Sequence, residues 1–455
     1  VAKTKAAMQD SADLGGERVR VHPLTRIQGR ADIEIQFSPD QRVNQARFRA
    51  LEFRGFEEMA TGIAAFRAPS LLSRICGSCG PFHQLASCIA IENATGTIVP
   101  KTALWFRELL SFLWLGLSHI LNCTYMALPD FALPTSDAAV RNVIGIYAIE
   151  QEMIQNLTAV QSAFADSLAL LAGLPIHPSV VVPGGVSYLP DWTTCSKVGE
   201  TLAGCEHNLR ETLRLVELLT KRSAQMTETE TRLQGYYLAS TKRESPAMIG
   251  DTVSYAEFDE GEPTDMDHGE FYGSIEERPV PWSYLVPVTV SQMELLMVGP
   301  LARVNLGFDT ETPWAELECT RIHEQWGHPL DMELLFLMSM TLEMIWAYEN
   351  ACLLLEQRPR HGEACAEPEV VESDGIAVID GPRGTLVHKV WLDSSGAISR
   401  YQVISPLQFS CQLLNQHLTS LARILVTGLE ISDDVAQLLQ LSVRAFTPCV
   451  QCGTH

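Results

Sequence analysis

The 455-residue chain reads as a mainly α protein with small β elements (α+β). Three observations carry that reading. Apolar residues recur at helical spacing through long runs, residues 103–121 and 143–171 above all. Strict alternation in Ala31-Asp32-Ile33-Glu34-Ile35-Gln36 marks a strand near the start. Strand character returns late, over residues 366–405, around a Gly381-Pro382-Arg383-Gly384 turn.

Taken in order, residues 1–16 are small and polar and read as a loose segment. Residues 18–54 read as strands joined by a turn at Ser38-Pro39-Asp40. From residue 71 to about 173 the pattern is helical. Residues 199–240 read as one long helix with charge pairs at i,i+4 spacing. Residues 241–290 are acidic, dotted with Gly and Pro, and are expected to be irregular with short strands. Residues 329–356 form a Leu/Met-rich helical pattern whose methionines suit core filling. Residues 406–440 are helical again. No internal repeat is visible, and residues 17–455 are read as a single domain.

Composition sets the outer limits. An apolar fraction of 46% with 19% charged residues excludes a disordered chain. Lys and Arg number 33 against 55 Asp and Glu, a net charge of −22, so neither nucleic acid nor an anionic membrane is an expected partner. No uninterrupted apolar run reaches the roughly eighteen residues of a membrane span. The first residues lack the charged-then-apolar pattern of an export signal, which favours a reducing compartment for the twelve cysteines.

Two cysteine pairs stand apart, Cys76-Gly-Ser-Cys79 and Cys449-Val-Gln-Cys452. C-x-x-C spacing lets two sulfurs meet one ion, and soft thiolates suit Zn, Fe and Ni. A structural zinc site and a redox or catalytic metal are both compatible with the four thiols alone. The wide separation of the pairs suits a central site better than a peripheral staple. The other eight cysteines show no ligand spacing and read as buried small hydrophobes.

The flanks of the two pairs, Arg74-Ile-Cys76-Gly-Ser-Cys79-Gly-Pro-Phe-His83 and Thr447-Pro-Cys449-Val-Gln-Cys452-Gly-Thr-His455, resemble the two metal-binding signatures of nickel–iron hydrogenase large subunits. The likeness extends to His22-Pro-Leu-Thr-Arg-Ile27, Phe53-Arg-Gly-Phe-Glu57, Val298-Gly-Pro-Leu-Ala-Arg-Val304 and Gly381-Pro-Arg-Gly-Thr-Leu386. The resemblance implies a long-helix bundle core and a catalytic large subunit that interconverts dihydrogen with protons and electrons. It implies nickel on Cys76, Cys79, Cys449 and Cys452, with Cys79 and Cys452 bridging to an iron that carries CO and cyanide. Cys449, as a terminal ligand, would take the proton. Arg383 would orient the substrate, His83 would donate to the metal ligands, and Pro382 would help keep the diatomic ligands dry. Glu57 and His455 match the ligands of a separate magnesium or similar cation, and Arg74 is read as structural. A chain ending at His455 resembles the processed, metal-loaded form.

Three polar groups depart from the family. Gln28 stands where a proton-relaying glutamate is usual, Thr447 where an aspartate is, and Ser118 where an acidic residue is. Glutamine hydrogen-bonds but cannot exchange a proton near neutral pH. The departures therefore imply either a water route from Cys449, Thr447 or Ser118 to a more distant carboxylate, or a slow, hydrogen-sensing form. A metal-free relative of the kind that forms quinone sites and a zinc-stabilised scaffold are the remoter alternatives. An obligate iron–sulfur small subunit is the implied partner, with further electron-transfer subunits or a dimer of heterodimers also open. The Phe-Arg-Gly-Phe-Glu wording resembles cytoplasmic, multi-subunit members.

Overall fold

The computed structural model describes residues 17–226, 232–242, 245–259, 261–369 and 371–455; the expected loose segment 1–16 lies outside them. An N-terminal antiparallel sheet runs β1 (Arg18–Val21), β2 (Ala31–Phe37) and β3 (Val43–Ala50), with Ala31 opposite Ala50. Helix α1 (Gly80–Thr95) starts at Cys79 and ends at Gly96, whose φ of 64° closes the last turn. Helix α2 (Lys101–Asn122) is apolar nearly all round and continues into a π-turn, Cys123–Ala127. Helices α3 (Gln151–Ala172), α4 (Trp192–Ala203) and α5 (Glu206–Met226) follow.

A mixed sheet comes next, in the order β7-β4-β5-β6: β4 (Tyr236–Lys242), β5 (Thr252–Glu257), β6 (Thr264–Asp267) and β7 (Leu296–Met297). Helices α6 (Pro300–Leu306), α7 (Pro313–Trp326) and α8 (Phe336–Glu356) lead to a three-stranded antiparallel sheet of β8 (Ser373–Gly381), β9 (Gly384–Leu392) and β10 (Ile398–Ile404). Helix α9 (Pro406–Leu425) opens on a Ser405/Gln408 capping box. Helices α10 (Asp433–Ala445) and α11 (Val450–Gly453) close the described chain.

The layers follow from which faces are apolar. Helices α2, α3, α5 and α8 pack on one another as the bundle, and α1 lies across β8 and β9. One hydrophobic cluster runs from Val21 to Cys452, with a smaller one around Leu238, Phe271 and Phe409. By mean hydropathy, 1.3, the segment Lys101–Ala132 is long and apolar enough to cross a membrane, although its sequence holds no long uninterrupted apolar run; 83% of that window is buried against the bundle. Burial on all sides accounts for its composition.

Several expected boundaries move. The single helix expected over 199–240 is two helices divided at Gly204-Cys205, followed by a strand from Tyr236. The strand begins where Gly235 takes φ 102° and a Tyr-Tyr pair supplies β-favouring side chains. The run 143–171 breaks at Glu150, which leaves helical geometry between Val143–Ile149 and α3. The 329–356 helix starts at Phe336, after a short turn at Glu333–Leu335. The 406–440 stretch divides between α9 and α10.

One glycine crossing sets the late sheet against the helices. Gly299, with φ 92° and ψ −153°, caps α6, and a Cβ there would sit 2.7 Å from the Arg383 carbonyl oxygen. Gly384, with φ 120°, has the reciprocal approach to the Gly299 nitrogen, 2.6 Å. That backbone region is essentially open to glycine only. Gly299→Ala is expected to cost about 2 kcal/mol or more, read as a lower urea midpoint of the purified chain.

Candidate metal centre

The four sulfurs expected to gather do so. The Sγ atoms of Cys76, Cys79, Cys449 and Cys452 all lie within 4.8 Å of one another, and all four residues are buried. Cys449 Sγ is 3.3 Å from Cys76 Sγ and 2.8 Å from Cys452 Sγ. Among the described residues no other His, Cys, Asp or Glu group has comparable metal-holding geometry.

Local structure places each sulfur. Cys76 ends a short turn, Ser73–Ile75, in extended conformation, and Cys79 is the N-cap of α1. Gly80 permits that entry, because a Cβ there would collide with the Ser73 carbonyl oxygen. On the other side, Thr447 turns the chain with φ 44°, and Cys449 caps α11. A parallel bridge joins Gln28 to Cys449, with the Val450 N–H donating to the Gln28 carbonyl at 2.8 Å. The N-terminal segment thus grips the second cysteine pair.

Burial and mutual contact split the thiols. Hydrogen bonds from Cys449, Cys452 and Cys79 hold Cys76 well below the ordinary thiol range despite burial. Burial pushes Cys449 and Cys452 well above it. Four sulfurs this close cannot all ionise without a compensating cation, and a soft divalent metal supplies that charge. The donor set fits a thiolate-bound nickel–iron centre.

A cavity of about 350 Å³ opens beside the sulfurs, lined among others by Gln28, Ser78, Trp114, Ser118, Asn122 and Arg383. Arg383 is 4% exposed and sits at the β8–β9 turn after buried Pro382. With its amide oxygen turned toward the guanidinium, Asn122 accepts from both terminal nitrogens, at 2.7 Å from Nη2, while Arg383 Nε has no partner among the described residues. Gln28 Nε2 is 2.6 Å from Ser78 Oγ, and Cys76 Sγ is 3.4 Å from Gln28 Oε1. Ser118 Oγ is buried on the cavity wall without a partner. Thr447 is buried with its N–H on the Arg444 carbonyl, outside the cavity lining.

His83 is fully buried one turn into α1, with Nδ1 3.0 Å from His388 Nε2. Burial pulls its pKa down to about 3, and that of His388 well below the imidazole range. Glu57 and His455 meet, His455 Nε2 lying 3.3 Å from Glu57 Oε1 and Nδ1 donating to the Cys452 carbonyl at 2.6 Å. Burial opposes a charged His455, yet the Glu57 hydrogen bond and charge raise its pKa.

Behind Arg383 lies a buried network that sequence reasoning did not assign. Arg303, on α6, donates to Glu343 (2.5 and 2.8 Å), to Asp380 Oδ2 (2.7 Å) and to the Gly381 carbonyl (3.1 Å). His119 Nε2 is 2.5 Å from the same Glu343. Burial alone would raise Glu343, but the Arg303 charge and the His119 hydrogen bond bring it below the usual carboxylate range. The network ties the Asp380–Gly381 approach to Arg383 onto the helix that carries Ser118 and Asn122. Arg303 belonged to a motif visible in sequence; its partners were visible only as isolated polar letters in apolar helices.

Comparison with known proteins gives a consistent result. The nickel-dependent hydrogenase family matches residues 54–133, and a HoxL-like family matches residues 18–53. One component of the F420-non-reducing hydrogenase vhu of Methanococcus voltae is 28% identical over 417 residues, covering 90% of this chain and 99% of that protein. The beta component of the NAD-reducing hydrogenase HoxS of Cupriavidus necator is 24% identical over 470 residues, covering 96% and 94%. A crystal structure of an NAD+-reducing nickel–iron hydrogenase in the H2-reduced state superposes with a TM-score of 0.88 at 26% identity, covering 96% of this chain and 99% of that one. A nickel–iron–selenium hydrogenase from D. vulgaris Hildenborough shares the fold, with a TM-score of 0.76 at 18% identity and coverage of 97% and 100%.

Removing one member of a buried ion pair strands the other, so Glu343→Gln is expected to cost about 3–5 kcal/mol. Asn122→Leu, which leaves the Arg383 guanidinium short of an acceptor, is expected to cost about 1–3 kcal/mol. Denaturant midpoints of the two variants against the parent check both values.

Proposed function

This chain belongs to the nickel-dependent hydrogenase family as a catalytic large subunit with a four-cysteine nickel–iron centre, and from that premise we propose how its own residues serve the splitting of dihydrogen. The observation that carries the reading is the closure of four buried sulfurs, all within 4.8 Å, beside a cavity whose wall includes Arg383. When bound, the nickel–iron centre supplies Lewis-acidic activation and takes up the two electrons. We assign CO and cyanide to the iron, in keeping with the burial of Pro382.

Cys449 Sγ is the proton acceptor. As a terminal ligand, buried away from solvent, it would keep more basicity than a bridging sulfur. Arg383 places a positive charge on the cavity wall, oriented by Asn122. Gln28 fastens Ser78 and Cys76 but cannot relay a proton. The proton therefore leaves through cavity water past Ser78 and Ser118, whose unpartnered Oγ is free to take part. Glu57 and His455, paired beside the second cysteine motif, are proposed to hold a magnesium or similar ion.

The chain works as one component of a multi-subunit enzyme. The remaining cysteines form no second cluster among the described residues, so electrons are proposed to pass to an iron–sulfur small subunit. We place the complex in the cytoplasm, on the likeness of its Phe53–Glu57 motif to cytoplasmic members.

Hydrogen–deuterium exchange by the assembled enzyme tests the proton route. Cys449→Ser is expected to lower exchange by about 10²–10⁴-fold, the usual worth of a positioned proton acceptor. Gln28→Glu is expected to raise it by supplying the missing relay. Unchanged exchange in Cys449→Ser would remove that sulfur from the mechanism, and slower exchange in Gln28→Glu would remove the relay argument.

A further inference from the structure

Behind His83, the expected donor to the metal ligands, His388 and Tyr401 extend a buried line of side chains to which nothing above gives a role. His388 lies on β9 and Tyr401 on β10, while His83 reaches them from α1. His83 Nδ1 is 3.0 Å from His388 Nε2, and His388 Nδ1 is 2.8 Å from Tyr401 Oη. Both imidazoles are fully buried and Tyr401 is 3% exposed. The other end of the line, His83 Nε2, is buried and has no protein partner among the described residues. The backbone holds this residue next to the metal centre, the His83 main-chain N–H donating to the Cys79 carbonyl at 3.0 Å, and the ring feels the charge of Cys76 and His455.

We propose that His388 and Tyr401 are positioning residues that lock His83 in the tautomer carrying its proton on Nε2, so that this N–H is presented to the thiolate cluster. The proposal rests on the reading of the four cysteines as metal-bound thiolates.

Proton counting restricts the line to two arrangements. Two imidazolium rings 3.0 Å apart with no carboxylate beside them would be heavily penalised, so each ring carries one proton. Each gap between heavy atoms then holds one hydrogen, and the order must run the same way throughout. In one order the Tyr401 hydroxyl donates to His388 Nδ1, His388 Nε2–H donates to His83 Nδ1, and the His83 proton is left on Nε2. In the reverse order His83 turns a bare lone pair toward the sulfurs. Two features select the first. Tyr401 keeps its proton, because burial pushes its pKa up, and a phenol with its proton is a strong donor toward an imidazole nitrogen. Ionised sulfur attracts an N–H and repels a lone pair. An N–H aimed at a metal-bound thiolate draws density from the sulfur and fixes the ring that provides it, the usual work of groups just behind a metal's ligands. Tyr401 thereby sets, through two rings, the polarity of a hydrogen bond at the centre.

Neutron diffraction from deuterium-exchanged crystals of the holoenzyme reads the result directly. In the unaltered enzyme the expected deuterons lie on Nε2 of both His83 and His388, and on Tyr401 Oη directed at His388. In Tyr401→Phe one of the two selecting features is gone, and part of the deuteron occupancy is expected to move from Nε2 to Nδ1 on both rings. A deuteron on His83 Nδ1 in the unaltered enzyme overturns the proposal, as does an unchanged pattern in Tyr401→Phe. Should that variant not fold, the unaltered enzyme decides the matter by itself. The readout is independent of turnover, so an enzyme inactive on dihydrogen that still shows the Nε2 tautomer would count against the proposed function and leave this lock standing.

Discussion

The sulfurs of Cys76 and Cys449 lie 3.3 Å apart although 373 positions separate them, and much of the chain path between is arranged to keep them there. The N-terminal sheet positions Gln28 to bridge Cys449 and to accept from the Val450 N–H. The Arg54 N–H donates to the Thr454 carbonyl, so the segment after β3 holds the residues following the second pair. From the other direction α1 begins on Cys79 and is pressed against β8 and β9, the two strands whose turn carries Arg383. Closing so long a loop on four polarisable, ionisable groups costs chain entropy and desolvation together. A metal bound by all four sulfurs would offset both.

Charge around the centre is handled in depth. Gln28 and Ser118 on the cavity wall, and Thr447 just before the second cysteine pair, are neutral where an acid would be usual by resemblance. That composition alone suggests an Arg383 left without a counter-charge. The structure places the compensation one step back, through the Asn122 oxygen and through Arg303, Glu343 and Asp380, which brace the turn. A carboxylate in direct contact with Arg383 would neutralise it and hold its guanidinium; an amide holds it while leaving the charge in place. The cavity wall therefore keeps the Arg383 charge, with the carboxylates held behind it.

The parts legible in the sequence were those with short-range signatures. The C-x-x-C pairs, the alternating strand at Ala31 and the glycine-bounded turn at Gly381–Gly384 each announce their geometry within a few residues. The α2 helix was visible from its periodic apolar face, and its burial on all sides explains why average hydropathy mimics a membrane segment. Boundaries in the middle of the chain were not legible. Helical charge pairing reads smoothly through Gly204, whereas the strand at Tyr236 exists because β5 and β7 pair with it from residues well downstream. The same limit hid the second layer of the site. His119, Glu343, Asp380, His388 and Tyr401 are single polar residues in apolar or alternating runs, where a satisfied core residue and a functional one look alike. Only three-dimensional proximity to Arg303 or His83 distinguishes them.

Hydrogen splitting by this chain requires a nickel–iron pair held by these four sulfurs. X-ray absorption at the nickel and iron edges, with metal content measured on the same purified complex, tests that most directly. The expected result is nickel and iron in near-equal amounts, each with sulfur neighbours, and loss of both from Cys76→Ser and Cys452→Ser. A single zinc bound by the four sulfurs, with neither nickel nor iron present, would contradict it.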